Sequence, residues 1–233
     1  MIMEYSYLYL NTSDEGPDFP WSFSSAGVIR IVEHVLIWIN GAFGAGKTHT
    51  AFELHRRLPD AHVADPELIG FALRRTLPPE FQPDFQDLPQ WRSAVIDTLQ
   101  QAAATHPGPV LVPMTLVRDD YFDEIVGGLR SRGVDIRHYA LIASPQTLRR
   151  RLSNRIAFLR TAGRETWAIA QIPRCVSALA TDRYATHVET DDRPTDEVVE
   201  WIAADAGLGL SRPRLSPIAY QFRRLAVGVR HIR

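Results

Sequence analysis

The chain has 233 residues and a formal net charge of -1, with 45% hydrophobic and 23% charged residues. These values fit one soluble domain of moderate size with a sizeable core, and the near-neutral charge gives no electrostatic reason to expect a nucleic-acid partner. The single cysteine, Cys175, excludes an internal disulfide and is compatible with a reducing cytoplasm. We find neither an apolar run long enough to span a membrane nor a secretory signal, so we expect a cytoplasmic protein.

Residues 1–34 show no sustained hydrophobic period, and they contain several glycines, prolines and serines. We therefore expect either a poorly ordered extension or a segment that results from a misplaced translation start.

Apolar runs alternate with amphipathic segments along the rest of the chain. The runs predict strands at residues 34–40, 61–65, 109–117, 135–143 and 186–191. The amphipathic segments predict helices at residues 48–58, 66–77, 90–105, 119–133, 144–155 and 195–207. Residues 78–89, rich in proline and aromatics, predict an irregular loop. The alternation predicts an α/β domain over residues 35–207, with a parallel sheet of about five strands covered on both faces.

The segment between the first predicted strand and the first helix, GAFGAGKT, fits the motif G-x-x-x-x-G-K-[ST]. Its residues are Gly41, Ala42, Phe43, Gly44, Ala45, Gly46, Lys47 and Thr48, followed by His49. In this strand–loop–helix context the motif predicts a phosphate-binding P-loop. The glycines let successive N–H groups point into one concavity, and the helix N-terminus adds its dipole. We therefore predict that ATP binds at this loop.

Lys47 is the only lysine among 26 basic residues, and the others are all arginine. A lysine retained in such a sequence marks a place that a planar guanidinium does not serve. Lys47 is predicted to reach the β- and γ-phosphates as a compact charge, and Thr48 to hold Mg²⁺ through its hydroxyl.

Asp65 ends the second predicted strand, at the same edge of the sheet as the P-loop. In small-molecule kinases of this layout an acid there faces the acceptor, and it acts as general base or binds Mg²⁺ through water. The alternative is a charge at the start of the following helix. The third strand ends with Met114 and Thr115 and lacks the carboxylate that helps an ordinary P-loop ATPase hold Mg²⁺. That difference argues against a mechanical ATPase and is easier to reconcile with a small kinase.

Four further residues are candidates for binding the acceptor. Arg74 lies on the helix after Asp65 and either holds the acceptor or belongs to a solvated face. Trp91 and Arg92 open the next helix and either line an acceptor pocket or, in the case of the Trp, close the core beneath the irregular loop. Thr115 ends the third strand at the same edge.

Arg151 and Arg155 are four residues apart, which places them on one face of a predicted helix. In P-loop kinases such a pair enters a mobile lid, stacks near adenine and clamps the phosphates, and the alternative is an ordinary exposed arginine pair. Residues 156–175 combine helical segments with a glycine hinge, which predicts the lid itself. Arg164 and Arg174 are further lid candidates.

Residues 208–233 contain six arginines and no acidic residue, so the rest of the chain carries a net charge of about -7. From Pro217 onward the apolar residues fall near one helical face, which is typical of a basic amphipathic helix on an anionic membrane surface. The alternative is a helix that packs on the protein body with an arginine-rich outer face.

Several segments together resemble the bacterial tunicamycin-resistance ATP-binding proteins. They are IWINGAFGAGKTHTAFELHRRL, DPELIGFALR, the WR pair after the aromatic loop, VLVPMTLV, YFDEIVGGLR and WAIAQIPRCVSAL. The resemblance extends from about residue 35 to the C-terminus. It implies a nucleoside-kinase-like P-loop fold, ATP binding, and protection against tunicamycin, a nucleoside antibiotic that carries a fatty acyl chain.

The resemblance leaves the chemistry open. We expect ATP-dependent phosphoryl transfer to a hydroxyl of a nucleoside-type small molecule. In that case Lys47 neutralises the phosphates, Asp65 acts on the acceptor, and Arg151 and Arg155 close over the transferring group. One alternative is a protein that sequesters the drug without catalysis, and another is a kinase of an ordinary metabolite.

Overall fold

A computed structural model of the protein describes residues 35–78, 80, 84–159, 162–216, 218–220 and 222–223, without the side chains of residues 155–165. The extension predicted over residues 1–34 lies outside the described residues.

The described part of the chain forms a sheet of five parallel strands in the order β2-β3-β1-β4-β5. Their bounds are Val35–Gly41 for β1, His62–Val63 for β2, Val110–Pro113 for β3, Asp135–Ile142 for β4 and His187–Glu189 for β5. Every residue of β1 is buried, because this central strand is paired on both edges and covered by helices on both faces. The predicted α/β fold with a parallel five-stranded sheet is confirmed.

Helices connect the strands and cover the sheet. Their bounds are Lys47–Arg57 (α1), Glu67–Thr76 (α2), Pro89–Thr105 (α3), Asp119–Phe122 (α4), Gly128–Ser131 (α5), Pro145–Leu159 (α6), Ala162–Ala170 (α7), Ile172–Leu179 (α8) and Thr195–Asp205 (α9). The Ser144 hydroxyl accepts a hydrogen bond from the Thr147 N–H at 3.3 Å, as expected of the residue ahead of α6.

Four strands are shorter than the sequence predicted, β4 by one residue and β2, β3 and β5 by three or more. β3 ends at Pro113, although the Met114 N–H still donates to the Ile39 carbonyl of β1 at 3.1 Å. β2 is reduced to two residues at the edge of the sheet, where it pairs only with β3.

The helix predicted over residues 119–133 is interrupted. A π-helical turn at Asp123–Gly127 separates α4 from α5. The interruption ends at the Gly127–Gly128 pair, where helix propensity is lowest.

The segment after α9 runs along α1, the helix that begins at the P-loop. The Ser211 N–H donates to the Arg57 carbonyl at 3.0 Å, and Arg57 Nε donates to the Arg212 carbonyl at 3.0 Å. Further on, Arg223 donates to the Phe52 carbonyl at 3.1 Å. The described part of the tail therefore contacts the protein body, while residues 224–233 of the predicted amphipathic helix lie outside the described residues.

Candidate functional site

The P-loop joins the end of β1 to the start of α1, as the motif predicted. Gly44 and Gly46 adopt φ values of +86° and +105°. Residues with a Cβ rarely adopt these left-handed conformations, so both positions favour glycine. The loop curls at these two points, and the described geometry matches a phosphate cradle.

The N-terminus of α1 is open toward the loop. The first helical hydrogen bond runs from the Thr50 N–H to the Gly46 carbonyl at 2.9 Å, and no side chain caps the helix. Gly46 itself carries no side chain that could occupy the space in front of the helix. Because a helix N-terminus attracts anions, this geometry fits the phosphates of a nucleotide.

The Lys47 side chain folds back onto the P-loop residues that precede it in the sequence. Its Nζ donates to the Gly41 carbonyl at 3.0 Å and to the Ala42 carbonyl at 3.1 Å. The same ammonium lies 5.5 Å from the centre of the Phe43 ring, within cation–π range. The Gly41 and Ala42 carbonyls therefore hold the Lys47 ammonium in the loop. Phosphate oxygens of a bound nucleotide would replace these carbonyls as partners of the ammonium.

The other loop residues are placed as the motif requires. Ala42 and Ala45 are buried and linked by a hydrogen bond of 3.1 Å from the Ala45 N–H to the Ala42 carbonyl. Thr48 and His49 are half-buried on the first turn of α1. The Thr48 hydroxyl is the chain's candidate ligand for Mg²⁺ at this point.

Thr115, two residues after the end of β3, forms a hydrogen bond to the first residue of the P-loop. Its buried hydroxyl donates to the Gly41 carbonyl at 2.9 Å. Gln86, in a 3-10 turn ahead of α3, donates from Nε2 to the Thr115 carbonyl at 3.0 Å. Thr115 therefore positions the loop through its hydroxyl, and no carboxylate occurs among residues 110–117.

Asp65 lies at the carboxyl end of β2, on the same edge of the sheet as the P-loop. Its Oδ1 accepts a hydrogen bond from the Glu67 N–H at 3.0 Å, so one carboxylate oxygen caps the start of α2. β3 lies between β2 and β1, so the strands that lead to Asp65 and to the loop are about 10 Å apart across the sheet. Asp65 therefore lies at the start of the following helix, as the alternative prediction states. It also lies at the edge of the sheet at which the prediction of a catalytic role places it.

Trp91 and Arg92 pack into the domain. The Trp91 side chain is fully buried, and its Nε1 donates to the Pro66 carbonyl at 3.0 Å. Trp91 therefore has the core position of the alternative prediction, in which it closes the core beneath the irregular loop. Arg92 Nε donates to Glu124 at 2.5 Å, and its guanidinium lies 4.3 Å from the centre of the Tyr121 ring. Arg92 therefore links α3 to the segment after β3.

Arg74 lies half-buried on α2, with its guanidinium 5.8 Å from the centre of the Phe85 ring. Phe85 also packs against Trp91 at 5.2 Å between ring centroids. This contact places Arg74 beside the aromatic loop that precedes α3.

Arg151 connects helix α6 to the P-loop and to the residue that follows β5. From α6, its guanidinium donates to the Ala45 carbonyl of the P-loop at 3.5 Å and to the Thr190 hydroxyl at 3.2 Å. Thr190 directly follows β5. Arg155 lies one turn further along α6, and its side chain lies outside the described residues.

An aromatic contact that the sequence did not predict joins the segment predicted as the lid to the P-loop. Trp167, on α7, meets Phe43 edge to face with 5.0 Å between ring centroids. Half of the Trp167 surface remains exposed. The only signal in the sequence was a Phe among the small residues of the P-loop and a Trp inside the predicted lid.

The comparisons with known proteins agree with this geometry. The family model described as an AAA domain matches residues 36–167. The tunicamycin resistance protein of Deinococcus radiodurans is 37% identical and has a TM-score of 0.65, and the match covers 76% of this chain and 98% of that chain. The chain therefore belongs to the AAA domain family of P-loop proteins and, within it, to the family of that tunicamycin resistance protein.

Solved kinases share the fold. A gluconokinase from Sinorhizobium meliloti is 17% identical with a TM-score of 0.52, covering 75% of this chain and 93% of that one. A sugar kinase from Janibacter is 13% identical with a TM-score of 0.52, covering 75% and 95%. No curated protein is significantly similar in sequence. The protein is thus a nucleotide-binding P-loop protein with a kinase-like fold.

Among the residues with described structure, no helix is long and apolar enough to cross a membrane.

Proposed function

We propose that the protein is an ATP-dependent phosphotransferase that modifies a hydroxyl of a nucleoside-type antibiotic of the tunicamycin kind. The observation that carries the proposal is the Lys47 ammonium, held by the Gly41 and Ala42 carbonyls at the open N-terminus of α1. The family relationship to a tunicamycin resistance protein supports the choice of acceptor.

Each candidate residue has a role in this proposal. Bound ATP supplies the phosphoryl group. Lys47 and the N–H groups at the start of α1 hold its phosphates, and the Thr48 hydroxyl binds Mg²⁺. Asp65 orients or deprotonates the acceptor hydroxyl. Arg151 and Arg155, on one face of α6, close over the transferring group.

The experiment that tests the proposal is mass spectrometry of tunicamycin incubated with the purified protein, ATP and Mg²⁺. The proposal expects the drug to gain the mass of one phosphate, and it expects Lys47→Ala to abolish the gain. Tunicamycin recovered unchanged from the wild-type reaction, although ATP binds, would contradict the proposal.

Asp65→Asn separates the charge of Asp65 from its role as a helix cap. Asparagine keeps an oxygen for the Glu67 N–H, so α2 retains its cap while the carboxylate is lost. A kinase loses turnover in this variant and still binds ATP. Asp135→Asn, at the exposed amino end of β4, is the matched control and keeps full activity.

Sequestration of the drug without catalysis is the second candidate. It is favoured by the end of β3, where Thr115 holds the Gly41 carbonyl and no carboxylate is available for Mg²⁺. In that case ATP stabilises a closed lid over the bound drug. Asp65→Asn would then leave protection of cells nearly intact, and tunicamycin would bind tightly and remain unchanged.

We also propose that the tail contacts an anionic membrane surface on the cytoplasmic side. Ile218 and Phe222 are each in a helical conformation and are 73% and 70% exposed, while Arg223 turns toward the body. Exposed apolar side chains in a tail whose sequence contains six arginines suit an interface of anionic lipid. Flotation with phosphatidylglycerol vesicles tests this proposal. Joint replacement of Ile218 and Phe222 by serine is expected to abolish flotation, whereas the control Leu68→Ser, at another exposed apolar residue, is not.

A further inference from the structure

A broad cleft of about 650 Å³, wide open to solvent, lies between the segment that leaves β3 and the helix α8. One wall includes Val117, Asp119 and Asp120, and the other includes Arg174, Ser177 and Thr181. None of these residues belongs to the P-loop, and Arg174 is also one of the candidates for the predicted lid.

Both walls of the cleft begin beside the phosphate-binding loop. Val117 follows Thr115 by two residues, and the Thr115 hydroxyl bonds the Gly41 carbonyl. On the other wall, Cys175 is buried next to Arg174. Burial raises the pKa of the Cys175 thiol, while the charges of Lys47 and Arg174 oppose the rise.

The two carboxylates in the cleft are fixed in place by neighbouring donors. Asp119 Oδ1 accepts a hydrogen bond from the Tyr184 hydroxyl at 2.9 Å. Asp120 Oδ1 accepts from Arg118 Nε at 3.1 Å, and this pairing lowers the pKa of the Asp120 carboxyl. Both groups are thus held as oriented hydrogen-bond acceptors at the mouth of the cleft.

The opposite wall offers donors. Arg174 is exposed and forms no hydrogen bond or ion pair with any residue that the structure describes. Ser177, one helical turn further along α8, adds an exposed hydroxyl that can donate and accept. Fixed acceptors thus face available donors across the cleft.

We infer that this cleft binds the hydroxyl-rich, uncharged sugar portion of the acceptor, an inference that rests on the proposed function. Sugar hydroxyls donate to carboxylates and accept from a guanidinium at the same time, so they match both walls. An anionic ligand is attracted by Arg174 and repelled by Asp119 and Asp120, while Arg118, which also lines the cleft, is already paired with Asp120. The cleft therefore favours a nucleoside or glycosyl acceptor over a sugar acid or a phosphorylated sugar.

Arg174→Gln tests the donor wall in the phosphorylation assay. Loss of a hydrogen bond to a substrate hydroxyl typically costs a factor of about ten or more. We expect the KM for tunicamycin to rise about tenfold, with the KM for ATP unchanged. Arg149→Gln is the matched control, because Arg149 is an exposed arginine on α6 that does not line the cleft. Equal KM values for tunicamycin in the two variants would overturn the inference.

Labelling tests the location of the ligand without any turnover. The native Cys175 is buried, so a maleimide reacts with it slowly, whereas Ser177→Cys places a thiol on the cleft wall. Tunicamycin is expected to protect this thiol from labelling at least about fivefold. Ser131→Cys, exposed on α5 outside the cleft, is the control and gains no protection.

The two assays separate the inference from the proposed function. If tunicamycin is phosphorylated but does not protect Ser177→Cys, the inference about the cleft is wrong and the proposed kinase activity is supported. If tunicamycin protects Ser177→Cys but is not phosphorylated, the inference about the cleft is supported and the proposed kinase activity is contradicted. Failure of both overturns both, and success of both supports both.

Discussion

Asn40 and His138 are joined beneath the P-loop by a hydrogen bond of 3.2 Å between Asn40 Nδ2 and His138 Nε2. The same Asn40 side chain accepts from the Gly41 N–H at 2.8 Å and from the Leu116 N–H at 3.0 Å. Because Asn40 Nδ2 donates, His138 Nε2 must accept, and His138 Nδ1 donates to the Ala185 carbonyl at 3.3 Å. A neutral histidine therefore supports the junction between the P-loop and the segment after β3.

This arrangement predicts a loss of stability in mild acid. Burial, together with the nearby charges of Arg130 and His187, lowers the pKa of His138 from 6.5 to about 4, and the hydrogen bond to Ala185 opposes this only in part. The unfolded chain takes up the proton below pH 6.5, while the folded protein resists it until about pH 4. The free energy of unfolding should therefore fall over this window, by up to about 3 kcal/mol from this group.

Urea unfolding of the wild type and of His138→Gln between pH 7.5 and 4 measures the effect. Glutamine can accept from Asn40 and does not titrate, so the variant should be less stable at neutral pH and should show a smaller fall toward pH 4. Parallel curves for the two proteins would assign the acid sensitivity to other groups.

Lys47→Arg is predicted to inactivate the protein although it keeps the charge. The ammonium fits between the Gly41 and Ala42 carbonyls at 3.0 and 3.1 Å, and a planar guanidinium cannot occupy that space in the same way. We expect kcat/KM to fall at least about 100-fold, with ATP affinity measured by calorimetry reduced in parallel. Wild-type activity in this variant would mean that only charge matters at this position.

Thr115→Val is predicted to loosen the attachment of the P-loop to β3. Valine has nearly the same shape as threonine, so the change removes the buried hydrogen bond to the Gly41 carbonyl with little effect on packing. The expected loss in the free energy of unfolding is about 1 kcal/mol. Thr105→Val is the control, since the exposed Thr105 hydroxyl bonds only its own helix, to the Gln101 carbonyl. Similar losses in the two variants would argue against a special role for Thr115.

The sequence was sufficient for the parts of the fold that depend on local pattern. The alternation of apolar runs and amphipathic segments predicted the parallel sheet, and the P-loop motif predicted the conformation around Gly44 and Gly46. The conformation of the loop is local because glycine spacing and the following helix determine it.

Side-chain roles that depend on distant partners were not accessible in the same way. Arg92 was a candidate for binding the acceptor, but its guanidinium pairs with Glu124, 32 residues away. Trp91 is buried by residues of other elements, among them Phe85 of the turn before α3 and Pro66, which lies 25 residues earlier in the chain. Neither hydrophobic period nor spacing carries information on such pairings, so pattern alone left both alternatives open for Trp91.

Trp167 is predicted to report nucleotide binding through its fluorescence. Its ring meets Phe43 of the P-loop at 5.0 Å, and the same Phe43 ring lies 5.5 Å from Lys47 Nζ. If bound phosphates draw Lys47 from the loop carbonyls and residues 156–175 act as the predicted lid, the half-exposed indole should become less accessible to solvent. We expect ATP to reduce quenching of the protein's fluorescence by acrylamide.

Single replacements assign this signal. Trp38 and Trp91 are fully buried, so among the described tryptophans only Trp167 and Trp201 are open to the quencher. Trp167→Phe should remove the ATP-dependent change, whereas Trp201→Phe, on α9 and distant from the P-loop in sequence, should retain it. Calorimetry on each variant verifies that ATP still binds. A full ATP-dependent change in Trp167→Phe would show that the predicted lid does not follow the state of the loop, since the described aromatic contact between a tryptophan and the P-loop is that of Trp167 with Phe43.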